Sequence, residues 1–169
     1  CATVTFLSGS NSFIATNSGT IRNINFNGNI SANGFVANIN TGTIENVTVD
    51  VNGTYASVLS FNGGYVGGIA GQNRGEIINS SVLGLQITGT NANFIGGIAG
   101  QNSGIIEGAR VEFYNLQTGS DQDGNMTTSI NTFSGATSIG GLVGEASDGS
   151  SITKSYVYNY VEDKQALTG

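Results

Sequence analysis

Several residue types that support common chemistry are absent or nearly absent from this chain. Its 169 residues contain no histidine, proline or tryptophan, and cysteine occurs once, at Cys1. Without histidine the chain cannot form a Ser-His-Asp triad or a Cys-His dyad, and it lacks the ligands of an ordinary zinc site. An intrachain disulfide is also excluded, because the bond needs two sulfur atoms.

Positive charge is scarce as well. Only 9 % of the residues are charged, and 11 acidic residues against 5 basic ones give a net charge of −6. Phosphate backbones and anionic lipid surfaces repel an acidic chain, so we expect no nucleic-acid partner. Long apolar runs are missing too, and since a membrane-spanning helix needs about 20 such residues, we expect no membrane span. A hydrophobic share of 38 % still favours a folded chain over a disordered one.

The chain begins with Cys1, followed directly by the apolar and β-branched residues 2–7. Three interpretations are open: a lipid-modified cysteine as in bacterial lipoproteins, a disulfide between subunits, or a boundary within a longer protein. Lipoprotein anchors usually precede a flexible polar tether, whereas residues 2–7 have the composition of a β-strand. We therefore favour the boundary.

An internal repeat marked by asparagine and glycine runs through the sequence. An asparagine followed two positions later by glycine, and then by isoleucine, occurs four times, and the leading asparagines lie 23, 33 and 29 residues apart. Because both residue types tolerate a positive φ, each pair predicts a tight turn. The pairs are Asn17 and Gly19, Asn40 and Gly42, Asn73 and Gly75, and Asn102 and Gly104.

A glycine-rich stretch precedes the later turns. Residues 67–73 match residues 96–102 at every position, and the stretch returns at 140–144 in a copy with about two extra residues before Ile152. Residues 34–37 take the equivalent place in the second copy and residues 12–15 in the first. The copies lie near residues 12–33, 34–66, 67–95, 96–139 and 140–161.

Each copy contains a short apolar strand, the turn and a second strand of alternating polarity, as in residues 44–51. No amphipathic helix with a capping signal is present. Such repeats predict an all-β fold: a single-domain parallel β-helix (β-solenoid) over residues 1–169, with about five to seven rungs and right-handed. Insertions such as the predicted loop excursion at 114–138 would leave this stack. A hairpin meander, the alternative, gives no reason for the same residues to return at the same place.

Stacked rungs would align the equivalent asparagines in columns about 4.8 Å apart along the stack. At that spacing side-chain amides can donate and accept hydrogen bonds along a column. We therefore assign these asparagines and the turn glycines structural roles, and we name no catalytic, cofactor-binding or metal-binding residue. The predicted columns are Asn17, Asn40, Asn73 and Asn102, and beside them Asn23, Asn46 and Asn79.

The motif Gly-Gly-Ile-Ala-Gly-Gln-Asn-x-Gly-x-Ile, present at residues 67–77 and 96–106, resembles the GLUG repeat. That repeat occurs in large secreted and surface-attached proteins, including bacterial adhesin-like proteins and some IgA-cleaving peptidases. The resemblance covers roughly residues 12–160 and is closest at 67–82 and 96–111. It implies a parallel β-helix and an extracellular or cell-surface location, and it supplies no catalytic site.

Two groups of acidic residues are candidates for chemistry. Residues 121–125 hold two carboxylates and a glycine, but an EF-hand loop needs a bidentate glutamate where Ile130 stands. Glu76 and Glu107 approach each other on adjacent rungs in the repeat frame, yet they form no recognisable glycosidase motif. We expect a solvated acidic loop, polar glutamates on the outer face, no metal or cofactor, and no enzyme activity.

N-glycosylation sequons occur about as often as the composition predicts, and they matter only in a eukaryotic secretory setting. We expect no glycan on Asn46 or Asn79, because both belong to a predicted ladder. The sequons are at Asn29, Asn46, Asn52, Asn79 and Asn125.

Near the end of the chain, Tyr156, Tyr158 and Tyr160 alternate with valines. They form either a contact surface or the outer face of the last rung. A β-solenoid also has two open ends, and the charged residues 162–164 would protect one of them only weakly.

The leading hypothesis is a non-enzymatic extracellular structural protein, a subunit or segment of a surface filament, fibre or surface layer that self-associates end to end. The alternative is an adhesin or ligand-binding module of a larger cell-surface protein. In that case the site lies on an exposed face or on residues 114–138, and the partners are other surface proteins or glycans.

Overall fold

The computed structural model describes residues 1–9, 11–50, 58–84, 86–114, 117–120, 126–128, 132–134 and 137–160. These residues form strands, turns and bends, and none of them is helical. The strands lie in parallel sheets, apart from one antiparallel pair. The predicted all-β class is therefore confirmed.

The described strands are, in chain order, β1 (Ala2–Gly9), β2 (Ile14–Asn17), β3 (Thr20–Arg22), β4 (Ile24–Ser31), β5 (Ala37–Asn40), β6 (Thr43–Glu45), β7 (Thr48–Asp50), β8 (Val58–Gly67), β9 (Ala70–Asn73), β10 (Glu76–Ile78), β11 (Ser81–Leu83), β12 (Gln86–Gly96), β13 (Ala99–Asn102), β14 (Ile105–Glu107), β15 (Arg110–Tyr114), β16 (Gln117–Ser120), β17 (Met126–Thr128), β18 (Thr132–Ser134), β19 (Ser138–Gly140), β20 (Val143–Ala146), β21 (Ser151–Thr153) and β22 (Tyr156–Tyr160).

Successive copies of the repeat lie side by side, and each copy places three strands in three different sheets. One sheet has the order β2-β5-β9-β13-β20, and a second has the order β3-β6-β10-β14-β21. The third and largest sheet contains β4, β7, β11, β15 and β22 together with β1, β8, β12, β18 and β19. The five copies, each named by its three strands, are β2–β4, β5–β7, β9–β11, β13–β15 and β20–β22.

The register between copies is parallel and aligns equivalent residues. In the second sheet Ile21 pairs with Ile44, and that column continues through Ile77 and Ile106 to Ile152. In the largest sheet Val49, Val82 and Val111 follow one another in the same way. These columns face inward and form the core, where the members from Ile44 to Ile106 and from Val49 to Val111 are fully buried.

The strand predicted at residues 44–51 is divided by a corner. Asn46 has a φ of 51°, so β6 ends before it and β7 begins after it. Asn23 and Asn79 adopt the same left-handed conformation at φ 58° and 46°, and Gly108 and Lys154 do so in the later copies. Asparagine and glycine tolerate this conformation better than other residues, which explains their recurrence at the corner.

The first copy is aligned one residue away from the sequence expectation. Its motif was aligned with Ala15 opposite Ala37, but the structure pairs Ile14 with Ala37 and Asn17 with Asn40. The fifth copy does carry two extra residues: Val143 pairs with Ala99, whereas Ile152 pairs with Ile106.

The segments between copies also add strands to the largest sheet. Strand β8 pairs with β12 along nearly its whole length, and β12 pairs in turn with β18 and β19. Within residues 114–138, the predicted loop excursion, β16 and β17 form the antiparallel pair. Residues 132–134 of the same segment form β18, which joins the largest sheet, whereas residues 121–125 lie outside the described residues.

Glycines at the turns allow adjacent copies to approach closely. A Cβ atom on Gly75 would overlap the carbonyl oxygen of Gly42, and one on Gly104 would overlap that of Gly75. The same oxygens accept hydrogen bonds from Glu76 N at 2.9 Å and Ile105 N at 2.8 Å. Gly42, Gly75 and Gly104 are therefore required by backbone-to-backbone contact.

We predict that Gly75→Ala destabilises the fold by about 1–3 kcal/mol, because the new methyl group forces the two turns apart. Gly19→Ala is the matched control, since a Cβ atom there meets nothing within 4 Å. Urea unfolding of both variants measures the difference. Equal free energies of unfolding would contradict the close approach.

Candidate functional site: the asparagine ladder and the ends of the stack

Three features remain as candidates once chemistry is considered: a buried asparagine column, an exposed corner column, and the two ends of the stacked copies. Among the described residues, no group of three or more His, Cys, Asp or Glu side chains could hold a metal ion. Glu76 and Glu107 are not aligned with each other, because Glu76 pairs with Ile105 and Glu107 with Ile78. Glu76 instead accepts a hydrogen bond from Thr43 Oγ1 at 3.3 Å.

The buried asparagines form a continuous side-chain ladder. Asn17 Nδ2 donates to Asn40 Oδ1 at 2.8 Å, Asn40 Nδ2 donates to Asn73 Oδ1 at 2.8 Å, and Asn73 Nδ2 donates to Asn102 Oδ1 at 2.7 Å. All four side chains are at most 3 % exposed. Because every amide donates in the same direction, the ladder is polar along the stack.

Backbone groups at the turn complete the hydrogen bonding of the ladder. Asn40 Nδ2 also donates to the carbonyl of Glu76 at 3.1 Å, and the Asn40 carbonyl accepts from Arg74 N at 2.7 Å and Gly75 N at 3.1 Å. Asn17, Asn40 and Asn73 thus each tie their own strand to the next copy by side chain and by backbone. A buried polar side chain is tolerated in the core only when its groups are satisfied in this way.

The ladder ends in the fifth copy. Ala146 occupies the ladder position there, paired in register with Asn102. Ser147 N still donates to the Asn102 carbonyl at 2.9 Å, so the backbone part of the pattern persists. At the other end, Asn17 Oδ1 accepts from Gly19 N at 3.2 Å within its own turn.

The second asparagine column lies on the outside of the corner. Asn46 Nδ2 donates to Asn23 Oδ1 at 2.6 Å, and the backbone amide of Asn46 donates to Ile78 O at 3.0 Å. Asn23, Asn46 and Asn79 are all exposed. Burial therefore gives no reason against a glycan at Asn46 or Asn79. Asn29 is exposed as well, while Asn52 and Asn125 lie outside the described residues.

Two serines that the sequence interpretation missed belong to the same corner. Ser80 Oγ accepts from Val47 N at 3.2 Å and donates to Ile78 O at 2.9 Å. Ser155 Oγ accepts from Ala109 N at 3.0 Å and donates to Thr153 O at 2.8 Å. Each serine directly follows the corner residue that has the left-handed conformation. This shared position in the repeat is the sequence signal that could have identified the two serines.

An exposed ion pair joins the last two copies at the corner. Lys154 Nζ contacts Glu107 Oε1 at 2.6 Å. The hydrogen bond to Glu107, followed by the Coulomb attraction of its carboxylate, raises the pKa of Lys154 above its ordinary value. A raised lysine pKa stabilises the folded state below the ordinary lysine range, and this contribution is lost as the pH rises through the folded-state pKa. The contribution is small, because solvent screens exposed pairs.

The tyrosines of β22 lie on the lateral surface. Tyr156 and Tyr158 are about half exposed, at 55 % and 50 %. They pair in register with Arg110 and Glu112, which form an ion pair at 2.6 Å. Tyr160 continues the strand opposite Tyr114, but its side chain lies outside the described residues.

Both ends of the stack expose residues that are core residues elsewhere. We define the C-terminal face as Ile139, Ile152 and Val157, which are 54 %, 37 % and 42 % exposed. Their partners Ile95, Ile106 and Val111 are at most 2 % exposed.

We define the N-terminal face as Phe13 and Ile14, which are 47 % and 37 % exposed. Phe13 contacts Phe26 edge to face, with ring centroids 5.2 Å apart, and β1 adds Phe6 to the same aromatic cluster. The described edge strands at this end are β1, β2 and β3, and at the other end β18, β19, β20, β21 and β22. Each end therefore combines open strand edges with apolar side chains.

We predict that Asn40→Ala costs about 2–4 kcal/mol of stability, because Asn17 loses an acceptor and Asn73 loses a donor in a buried environment. Asn38→Ala, two residues away on the same strand, is the control, since Asn38 is exposed. Thermal and urea unfolding check both variants. A cost for Asn40→Ala no larger than that of the control would rule out a stabilising ladder.

We predict that Asn46→Ala is destabilising by about 1 kcal/mol, because alanine adopts the left-handed conformation at a cost. Asn46→Gly should be tolerated better, since Gly108 holds the same corner in the fourth copy. Urea unfolding of the two variants orders their stabilities. The reverse order would contradict a decisive role for the left-handed backbone conformation at this position.

Comparison with models of protein families agrees with the repeat seen in the structure. No curated protein and no solved structure matches this chain. In the described part of the chain, no helix has the length and apolar character required to cross a membrane. A family model described as the GLUG motif matches residues 62–88, the segment that contains β9, β10 and β11. The resemblance predicted from the sequence is confirmed: the chain carries the GLUG motif.

Proposed function

We propose that this chain is a non-enzymatic extracellular structural protein whose molecules stack end to end in a surface filament, fibre or surface layer. In this proposal the parallel sheets form a right-handed β-solenoid of five to seven rungs. The GLUG motif supports the extracellular setting, because it suggests a secreted or surface-attached protein. The observation that carries the proposal is the C-terminal face, where core-type residues are exposed.

Covering the C-terminal face would be favourable for two physical reasons, apolar burial and strand pairing. Ile139, Ile152 and Val157 lie in columns whose inner members are fully or almost fully buried. Burying such a side chain completely is worth about 1.5–3 kcal/mol. The strands that carry these residues also end their sheets in the described structure, and open edges favour pairing with another strand. Apolar burial and strand pairing therefore act in the same direction.

End-to-end contact also produces an open assembly. The N-terminal and C-terminal faces are different surfaces, so their contact is heterologous. A head-to-tail contact that does not close into a ring generates a filament. This geometry supports a structural role, which would need no catalytic group.

A second candidate function, an adhesin or ligand-binding module, is favoured by the lateral surface of β22. Tyr156 and Tyr158 present exposed rings beside the Arg110–Glu112 ion pair. Tyrosine and arginine are both enriched at contact surfaces between proteins. In this alternative the ligand would be another surface protein or a glycan, and the ends would play no part in binding.

We predict that Ile152→Lys abolishes end-to-end association, because it places a charge in the C-terminal face. Asn38→Lys is the matched control, since Asn38 is exposed on β5, an inner strand of its sheet that lies at neither end of the stack. Light scattering over a concentration series and negative-stain microscopy measure assembly, and circular dichroism checks the fold. Growth of the unmodified protein and the control, but not of Ile152→Lys, supports the proposal. If the unmodified protein stays monomeric at every concentration, the proposed end-to-end association is contradicted.

A further inference from the structure

We infer that the junction between two molecules continues the internal register of the repeat, so that a second copy of this chain is the partner of the C-terminal face. The inference rests on the proposed end-to-end association. Strand β20 of one molecule then pairs with β2 of the next, β21 with β3, and β22 with β1. The junction would be one more interface of the kind already present inside the molecule.

The inward columns specify which residues meet. Ile152 belongs to the same column as Ile21, so the junction places Ile152 against Ile21 of the next molecule. Val143 follows the column that starts at Ile14. Apolar side chains therefore meet apolar side chains at both positions.

The largest sheet gives a third meeting point. Val157 lies in the column of Val111, Val82, Val49 and Phe26, and β1 pairs Val4 with Phe26. The junction thus places Val157 against Val4 of the next molecule. Val4 is only partly buried and packs against the core.

Outward residues are compatible with the same register. The exposed Thr20 would face Ser151, and the exposed Arg22 would face Thr153. No positively charged residue would therefore lie directly opposite Arg22. A slip of one residue would move the apolar side chains of the added strand to the outside. Of these two registers, only the continued one places Val143, Ile152 and Val157 against apolar residues of the next molecule.

Gly19 provides an independent observation. The glycines at 42, 75 and 104 each have the backbone of the preceding turn against them, and a Cβ atom would overlap a carbonyl oxygen. A Cβ atom at Gly19 would meet nothing within 4 Å of the same molecule. A preceding turn supplied by another molecule would fill that space. Gly19 then has the same role at the junction that Gly42 has inside the molecule.

The ladder is interrupted at the junction. Ala146 would face Asn17 of the next molecule, and alanine has no amide to donate to Asn17 Oδ1. The local hydrogen bond from Gly19 N keeps that oxygen satisfied. The junction therefore lacks one interaction that every interface from the first copy to the fourth possesses.

Engineered disulfides test the register. In a Cys1→Ser background, Thr20→Cys combined with Ser151→Cys joins two residues of one column. Within one molecule these sites are four copies apart, about 19 Å, which exceeds the roughly 4.4–6.8 Å between Cα atoms that a disulfide needs. Any bond therefore forms between molecules. The matched control combines Thr20→Cys with Thr153→Cys, two residues out of register.

The expected result is a ladder of disulfide-linked oligomers from the in-register pair, at least about tenfold more than from the control, because a disulfide tolerates little displacement. Ala146→Asn should also tighten association by about two- to tenfold, the effect of one added hydrogen bond. If oligomers form but the control cross-links equally well, the register is wrong while end-to-end association stands. If light scattering of the unmodified protein shows only monomers, both the register and the proposed function fail.

Discussion

Parallel hydrogen bonding between successive copies is the interaction on which the rest of this structure depends. Once Thr43 N, Glu76 N and Ile105 N each donate to the turn of the preceding copy, equivalent residues are fixed one strand spacing apart. Glycine is then required where two turns meet, and an amide can bond to the same amide in the next copy. The inward isoleucine and valine columns follow from the same register. The repeated residues in the sequence are consequences of this one constraint.

The same constraint leaves the ends of the stack incomplete. Inside the molecule, each copy is covered on both sides, and residues such as Ile77 and Val82 are fully buried. In the fifth copy the equivalent Ile152 and Val157 are covered on one side and remain partly exposed. Solenoids usually cap such ends with atypical terminal repeats. The fifth copy changes the ladder residue to Ala146 but keeps Ile152 and Val157 in their apolar columns.

Roles that a single residue type fills could be predicted from the sequence, whereas strand pairings that many residue types can form could not. Asn40 and Gly75 recur because no other residue makes the same hydrogen bond or allows the same close approach. The pairing of β8 with β12 left no such signal, since Leu59 and Phe61 lie opposite Ile87 and Gly89 without shared identity. The corner at Asn46 did leave a signal that the sequence interpretation did not use, because the spacing between buried residues is three from Ile44 to Val47 and two from Val47 to Val49. End exposure was hidden, because Ile152 is the same residue type as its buried partner Ile106.

A double-mutant cycle on Asn40 and Asn73 tests most directly that the copies stack in register through their side chains. Unfolding free energies are measured for the unmodified protein, Asn40→Ala, Asn73→Ala and the double variant. Because Asn40 Nδ2 donates to Asn73 Oδ1 at 2.8 Å, the account predicts a coupling energy of about 0.5–3 kcal/mol. Strictly additive effects would mean that the two asparagines do not interact, and they would contradict the stacking of the copies described here.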